Sequence, residues 1–270
     1  IEVEAIGHEE ALNETNELLK KENVTIFEAA VNYKNLFIRA DILVKQGNRI
    51  RLIEVKAKSI GEGRNEEFYG KEKKDKKTGE TYRIIVKDFR SYLYDIAFQT
   101  YVAKKAFPQY EIEPYLFLPD KTALTPTEGL NQKFKLVKKE RTTCIVSGLT
   151  EEDLKTKLLA LLNVSDEVNL IFQRKDKDSY KEQMGSSFEK MIQIYSDHYF
   201  KDEKIVTDLK SECKKCQFFT KSEDLKSGRD ECWKQKLGWT DEDLKDQTIL
   251  ELWNSRRTDT FIKNGKYKLI

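Results

Sequence analysis

The order of apolar and polar residues along the chain changes period several times, and each change predicts an element. Over 9–22 the residues Ala11, Leu12, Thr15, Leu18 and Leu19 recur at helical spacing and predict an amphipathic helix. Three runs rich in aliphatic residues, 25–31, 36–44 and 50–57, predict strands. Residues 32–35 separate the first two. Gln46-Gly47-Asn48-Arg49 separates the second pair, with the central Gly-Asn a tight-hairpin signal. A polar, Lys-rich stretch over 61–82 predicts a long loop. A helix over 88–107 and a strand over 110–118, ended by Pro119-Asp120, come next, and 134–146 predicts another strand. Thr150-Glu151-Glu152-Asp153 opens a predicted helix in the manner of a capping box, with Leu154, Leu158, Leu161 and Leu162 on it. A helix over 178–199, a loop-like segment over 213–232 and short terminal helices complete the chain, and no repeat at solenoid spacing is present.

This order predicts an α/β fold, a mixed central sheet flanked by helices, followed by a helical, Cys-containing C-terminal lobe. The break near 147–165 sets the expected division: a core over 1–147 and a mostly helical lobe over 148–270, or one continuous domain.

Charge changes the picture only locally. The chain's 270 residues include 49 Lys and Arg against 47 Asp and Glu, a net charge of +2, so any nucleic-acid contact must come from patches rather than from a general positive field. Lys71–Lys77 and Lys138–Arg141 are the candidate patches, either phosphate contacts or solvated loops. Trp233, Trp239 and Trp253 are read as core packing of the C-terminal lobe before base stacking. No apolar run approaches the ~18 residues that span a membrane. No secretory pattern precedes the core, so a cytoplasmic location with reduced thiols is expected. The chain begins at Ile1 rather than Met, which reads as a fragment of something longer, with a further domain or partner protein beyond it.

The densest chemistry lies in Leu36–Lys58. With Gly47-Asn48 as a two-residue loop, Lys45 faces Ile50 and Asp41 faces Glu54. One face then carries Arg39, Asp41, Leu43, Leu52, Glu54 and Lys56. The other carries Ile38, Ala40, Ile42, Val44, Ile53, Val55 and Ala57, and is read as continuous core. Opposed carboxylates destabilise a sheet unless a cation lies between them, and hard oxygen donors suit magnesium or manganese. A four-residue turn at 32–35 would set Glu28 against Arg39 and diagonal to Asp41, making Glu28 a further candidate ligand. Lys56, two residues past Glu54, is placed to act on a water or on phosphate charge.

These residues carry a resemblance. Asp41, a gap of 12 residues, then Glu54-Val55-Lys56 resembles the D…ExK signature of the PD-(D/E)xK nuclease superfamily. The nearer branch holds RecB-type exonuclease domains and CRISPR adaptation nucleases. The segments TIFEAAV, LFIRADILV, RLIEVKAKS and VKDFRSYLYDIAFQTYV are similar to an uncharacterised bacterial family within it. The residue before Asp41 is Ala40 rather than Pro. The resemblance implies a restriction-endonuclease-like fold, metal held by Asp41, Glu54 and the Val55 carbonyl, and Lys56 as catalytic lysine. It also implies a Gln-x-x-x-Tyr helix: Gln99 is present, Ala103 stands at the fourth position, and the nearby tyrosine is Tyr101. Asp95 and Gln99 share a helix face with Tyr92 and Ile96. A first-helix histidine often completes the metal site in that branch, and His8 is the residue so placed.

Cys213-Lys-Lys-Cys216 and, after fifteen residues, Cys232 have a spacing found in zinc and iron–sulfur sites. By resemblance a [4Fe-4S] cluster is implied, ahead of zinc, with the fourth ligand either Cys144 or a residue outside this sequence. The chain is thus expected to be a divalent-metal-dependent nuclease acting on DNA. The alternatives are a nuclease-fold module that binds nucleic acid or a partner without cutting, and a zinc-type nucleic-acid module in the Cys lobe.

Overall fold

A computed structural model of the chain describes residues 1–270 apart from 75–78, 80, 139–141, 174–186, 223 and 270. The described chain divides into two units, Ile1–Asp202 and Glu203–Ile270. The expected boundary at 147 falls instead within the first unit. Strand β9 (Leu159–Asn163) and helix α4 (Ser165–Phe172), both beyond that point, belong to the same sheet and core as the residues before it.

The first unit is mixed α/β, with a sheet of order β1-β2-β3-β6-β9. Strands β1 (Asn23–Tyr33), β2 (Leu36–Gln46) and β3 (Arg49–Val55) form antiparallel hairpins. Helix α2 (Lys87–Ala106) crosses over to β6 (Glu111–Pro119), which runs parallel to β3, and β9 closes the order antiparallel to β6. Helix α1 (His8–Leu19) buries Ala11, Thr15 and Leu19, and the Thr15 hydroxyl accepts the Ala30 amide at 2.9 Å.

The β2–β3 register is the expected one, with Lys45 opposite Ile50 and pairing through Ile42–Ile53. The β1–β2 turn is tighter than expected. Tyr33 faces Leu36, and Lys34-Asn35 forms a two-residue loop with Lys34 at φ 55°, so Ala30 rather than Glu28 faces Arg39.

The expected faces hold only in part: Ile38, Ala40 and Ile53 of the supposed core face are buried, but so are residues of the charged face. Leu43, Ile50, Leu52 and Glu54 are buried and in register with buried Ile112, Leu116 and Leu162. The supposed core face is closed at Ile53, which pairs with Ile42, and opens along the register at Phe27 and at Val55, Phe117 and Leu161. Phe27 is 43 %, Val55 40 % and Leu161 42 % exposed. Helix α2 packs over the charged end of its face, where Asp95 and Gln99 bond Lys56 and Glu54. Near Glu28 the alternation breaks: Val24 and Ile26 are buried before it, and Ala29, Ala30 and Val31 in succession after it. Glu28 has a left-handed backbone, φ 57°, within the continuous strand, and the β1–β2 register is the same on both sides of it.

Leu158, Leu161 and Leu162 do not lie on a helix. The capping box at Thr150 is present but opens only α3 (Glu151–Leu154). Beyond it Ala160 and Leu162 are buried while Leu159 and Leu161 are half-exposed, a period of two that belongs to an edge strand. The 61–82 stretch holds a 3-10 turn at Arg64–Phe68 and a short hairpin of β4 (Lys73–Lys74) and β5 (Thr81–Tyr82). The single strand expected over 134–146 is the hairpin β7 (Phe134–Lys138) and β8 (Thr142–Val146). Much of both basic patches, and the start of the helix expected at 178, lie outside the described residues; α5 runs Phe188–Phe200.

The second unit gathers Trp233, Ile249, Leu250 and Ile262 around α6 (Gly228–Leu237) and α7 (Thr258–Lys263), with Trp239 and Tyr267 packed against them. Trp233 and Trp239 are core, as expected; Trp253 is 88 % exposed.

Candidate functional site

Strand alternation and helical period meet at the C-terminal end of β3. Glu54 and Lys56 stand two apart and so project from the same face, toward α2. Asp95 and Gln99 stand four apart on α2 and so share its facing side. The Lys56 ammonium donates to Glu54 Oε1 at 2.5 Å and to Asp95 Oδ2 at 2.8 Å. Gln99 Nε2 donates to Glu54 Oε2 at 2.7 Å and to Asp95 Oδ1 at 3.3 Å. The four side chains therefore form a closed ring in which each carboxylate uses both oxygens.

Asp41 joins from β2. The β2–β3 ladder stops at Ile42–Ile53, and instead of pairing its backbone with Glu54, Asp41 accepts the Val55 amide on Oδ2 at 2.6 Å. The β3–β6 ladder ends nearby, with Lys56 N donating to Phe117 O at 3.2 Å and Pro119 lacking an N–H to continue it.

Burial dominates the titration of Glu54, which is buried and has its carboxyl pushed above the ordinary 4.5. The bonds from Lys56 and Gln99 oppose the shift, and the charges of Asp41 and Asp95 add to it. For Lys56, burial disfavours the charge, but the bonds to Asp95 and Glu54 outweigh it and hold the ammonium well above its ordinary value.

The donors offered to a cation here are hard oxygens: Asp41, Glu54, the Val55 carbonyl, and Gln99 Oε1, which is buried without a hydrogen-bond donor. That chemistry fits magnesium or manganese, which commonly take one or two carboxylates and keep several waters. Among the described residues no group of three or more His, Cys, Asp or Glu side chains is placed to hold a metal ion, so the protein offers at most two carboxylates here.

Other expected residues lie elsewhere or are otherwise engaged. Glu28, which the flanking pairs set against Asp41, is in an ion pair with Arg39 at 3.6 Å. Arg39 in turn donates to Ala5 O at 2.8 Å and Val3 O at 3.1 Å. His8 stacks on Phe37, with ring centroids 4.1 Å apart. Tyr101 points away from Gln99 and donates to Glu189 at 3.2 Å. Asp95 was legible as a neighbour of Gln99 on the helix, but nothing in the sequence assigned it to Lys56.

Cys213 lies within a 3-10 turn at Ser211–Lys215 and Cys216 caps its end, Cys232 lies on α6, and all four cysteines are free thiols. Cys213 packs against the Trp233 cluster and its sulfur accepts the Lys210 amide at 3.5 Å. Cys144 is exposed on β8 in the first unit. The described cysteines thus make no three-thiolate group, which does not fit an iron–sulfur cluster or a zinc ribbon. Among the described residues no helix is long and apolar enough to cross a membrane. Protein-family models, curated proteins and solved structures contain no match to this chain.

Proposed function

We propose that the chain is a cytoplasmic, divalent-metal-dependent nuclease of the PD-(D/E)xK type, with a restriction-endonuclease-like core, that hydrolyses phosphodiester bonds in DNA. The observation that carries this reading is the convergence of Asp41, Glu54, Lys56 and Gln99, from two strands and a helix, at one end of β3. Asp41, Glu54 and the Val55 carbonyl would hold magnesium or manganese. When bound, the ion supplies a Lewis acid and a water of lowered pKa. Lys56, kept as an ammonium by two carboxylates, stabilises negative charge on the phosphate and does not serve as a base. Gln99 holds the Glu54 carboxylate in place.

A second reading, a nuclease-fold module that binds without cutting, is favoured by one feature: both Glu54 oxygens are already engaged, by Lys56 and Gln99. Labelled single- and double-stranded DNA with manganese separates the two. Cleavage by wild type, reduced about 10²-fold or more in Asp41→Ala and in Lys56→Ala, is the expected result. Wild type no faster than Asp41→Ala, with DNA retained in a gel shift, would establish the binding module instead.

A further inference from the structure

We infer that Asp95 is a positioning residue: α2 supplies the second carboxylate that holds the Lys56 ammonium at the site independently of Glu54. The catalytic consequence rests on the nuclease reading; the holding itself rests on geometry alone.

Lysine has a long, flexible stem and no preferred geometry at its tip, so an ammonium stays in one place only where fixed acceptors surround it. Lys56 follows the end of β3, and although its amide bonds Phe117 O at 3.2 Å, that backbone bond does not fix the far end of its long side chain. Were Glu54 its only partner, the ammonium would be tied to the same carboxylate a dication needs, and the two cations would compete for it. Asp95 removes that conflict. It comes from a different element and bonds Lys56 at 2.8 Å.

Packing does not explain the position of Asp95, since its side chain is 40 % exposed. Its other oxygen is committed to the same ring, accepting Gln99 Nε2 at 3.3 Å, while that nitrogen also reaches Glu54 at 2.7 Å. One helical turn thereby places a carboxylate on Lys56 and an amide on Glu54. Both would keep their bonds to α2 when the Glu54–Lys56 contact opens.

The first measurement is made on the metal-free protein. Nitrogen-detected NMR should find a slowly exchanging Lys56 ammonium, assigned by its loss in Lys56→Arg. That signal should vanish in Asp95→Ala and return in Asp95→Glu. A signal unchanged in Asp95→Ala, or absent from wild type, overturns the inference. The second is single-turnover cleavage with manganese at saturating DNA. Asp95→Ala should slow the chemical step about 10–100-fold, with DNA affinity within about twofold, and Asp95→Glu should recover much of the rate. A merely structural role would instead lower the melting temperature without that split, and an unchanged single-turnover rate overturns the positioning role. If wild type does not cleave, the nuclease reading falls and the ammonium signal alone decides this one.

Discussion

The end of β3 and the Cys213–Cys216 turn carry motifs of similar brevity, and the chain treats them differently. Glu54-Val55 ends a strand with Lys56 the next residue in the same extended run, and Asp95…Gln99 lies on a helix, so the periods of those elements already favour one face for each pair before any packing is considered. Cys213 and Cys216 lie on a 3-10 turn and Cys232 on a separate helix, so their meeting depends wholly on how the intervening fifteen residues run. Among the described residues the first set closes into a ring and the second does not gather. A short motif is therefore worth most when regular secondary structure carries it.

The largest test of this contrast lies in the second unit. If apolar packing rather than a metal holds it, Trp233→Ala should cost about 3–5 kcal/mol, since Trp233 is buried among Ile249, Leu250 and Ile262. Chemical denaturation followed by Trp fluorescence measures it, and a loss below about 1 kcal/mol would point to another source of stability.

The contrast sharpens inside the first unit between two buried carboxylates. Glu54 is balanced by a lysine. Glu167, on α4, accepts from Tyr69 at 2.9 Å and Asn65 at 3.3 Å, and its Oε2 is buried without a hydrogen-bond donor. Burial raises its carboxyl above the ordinary 4.5. The native state then keeps a proton that the unfolded chain has released, so this group's contribution to stability falls as pH rises from 4.5 through the raised native value. Glu167→Gln should gain on wild type as pH is raised from about 4 to about 8, by urea denaturation at each pH; parallel curves would place the shift elsewhere.

The smallest effect belongs to the cysteines. Replacing Cys213 and Cys216 together by Ser should change stability by no more than about 1 kcal/mol, and the purified wild type should hold neither iron nor zinc. Stoichiometric metal by elemental analysis, lost in the double variant, would reverse the comparison.

Much of the first unit was legible because its signals are local. The Gly47-Asn48 loop set the β2–β3 register, and that register brought Asp41 toward Glu54. The β1–β2 register was missed because Lys34 takes a left-handed backbone, which lysine seldom signals. Strand β9 was read as a helix because leucines crowd both of its faces, so period two and period 3.6 look alike over five residues.

The sequence by itself determined the D…ExK spacing, the alternation that sets Glu54 and Lys56 on one face, and the helical step from Asp95 to Gln99. These follow from backbone geometry that any chain of this pattern must obey. Only the tertiary structure decided which face of the sheet α2 would cover, that Asp95 would take the Lys56 ammonium, and that Cys213, Cys216 and Cys232 would form no metal-holding group. Those outcomes depend on burial summed over residues distant in the chain, and no local period encodes that sum.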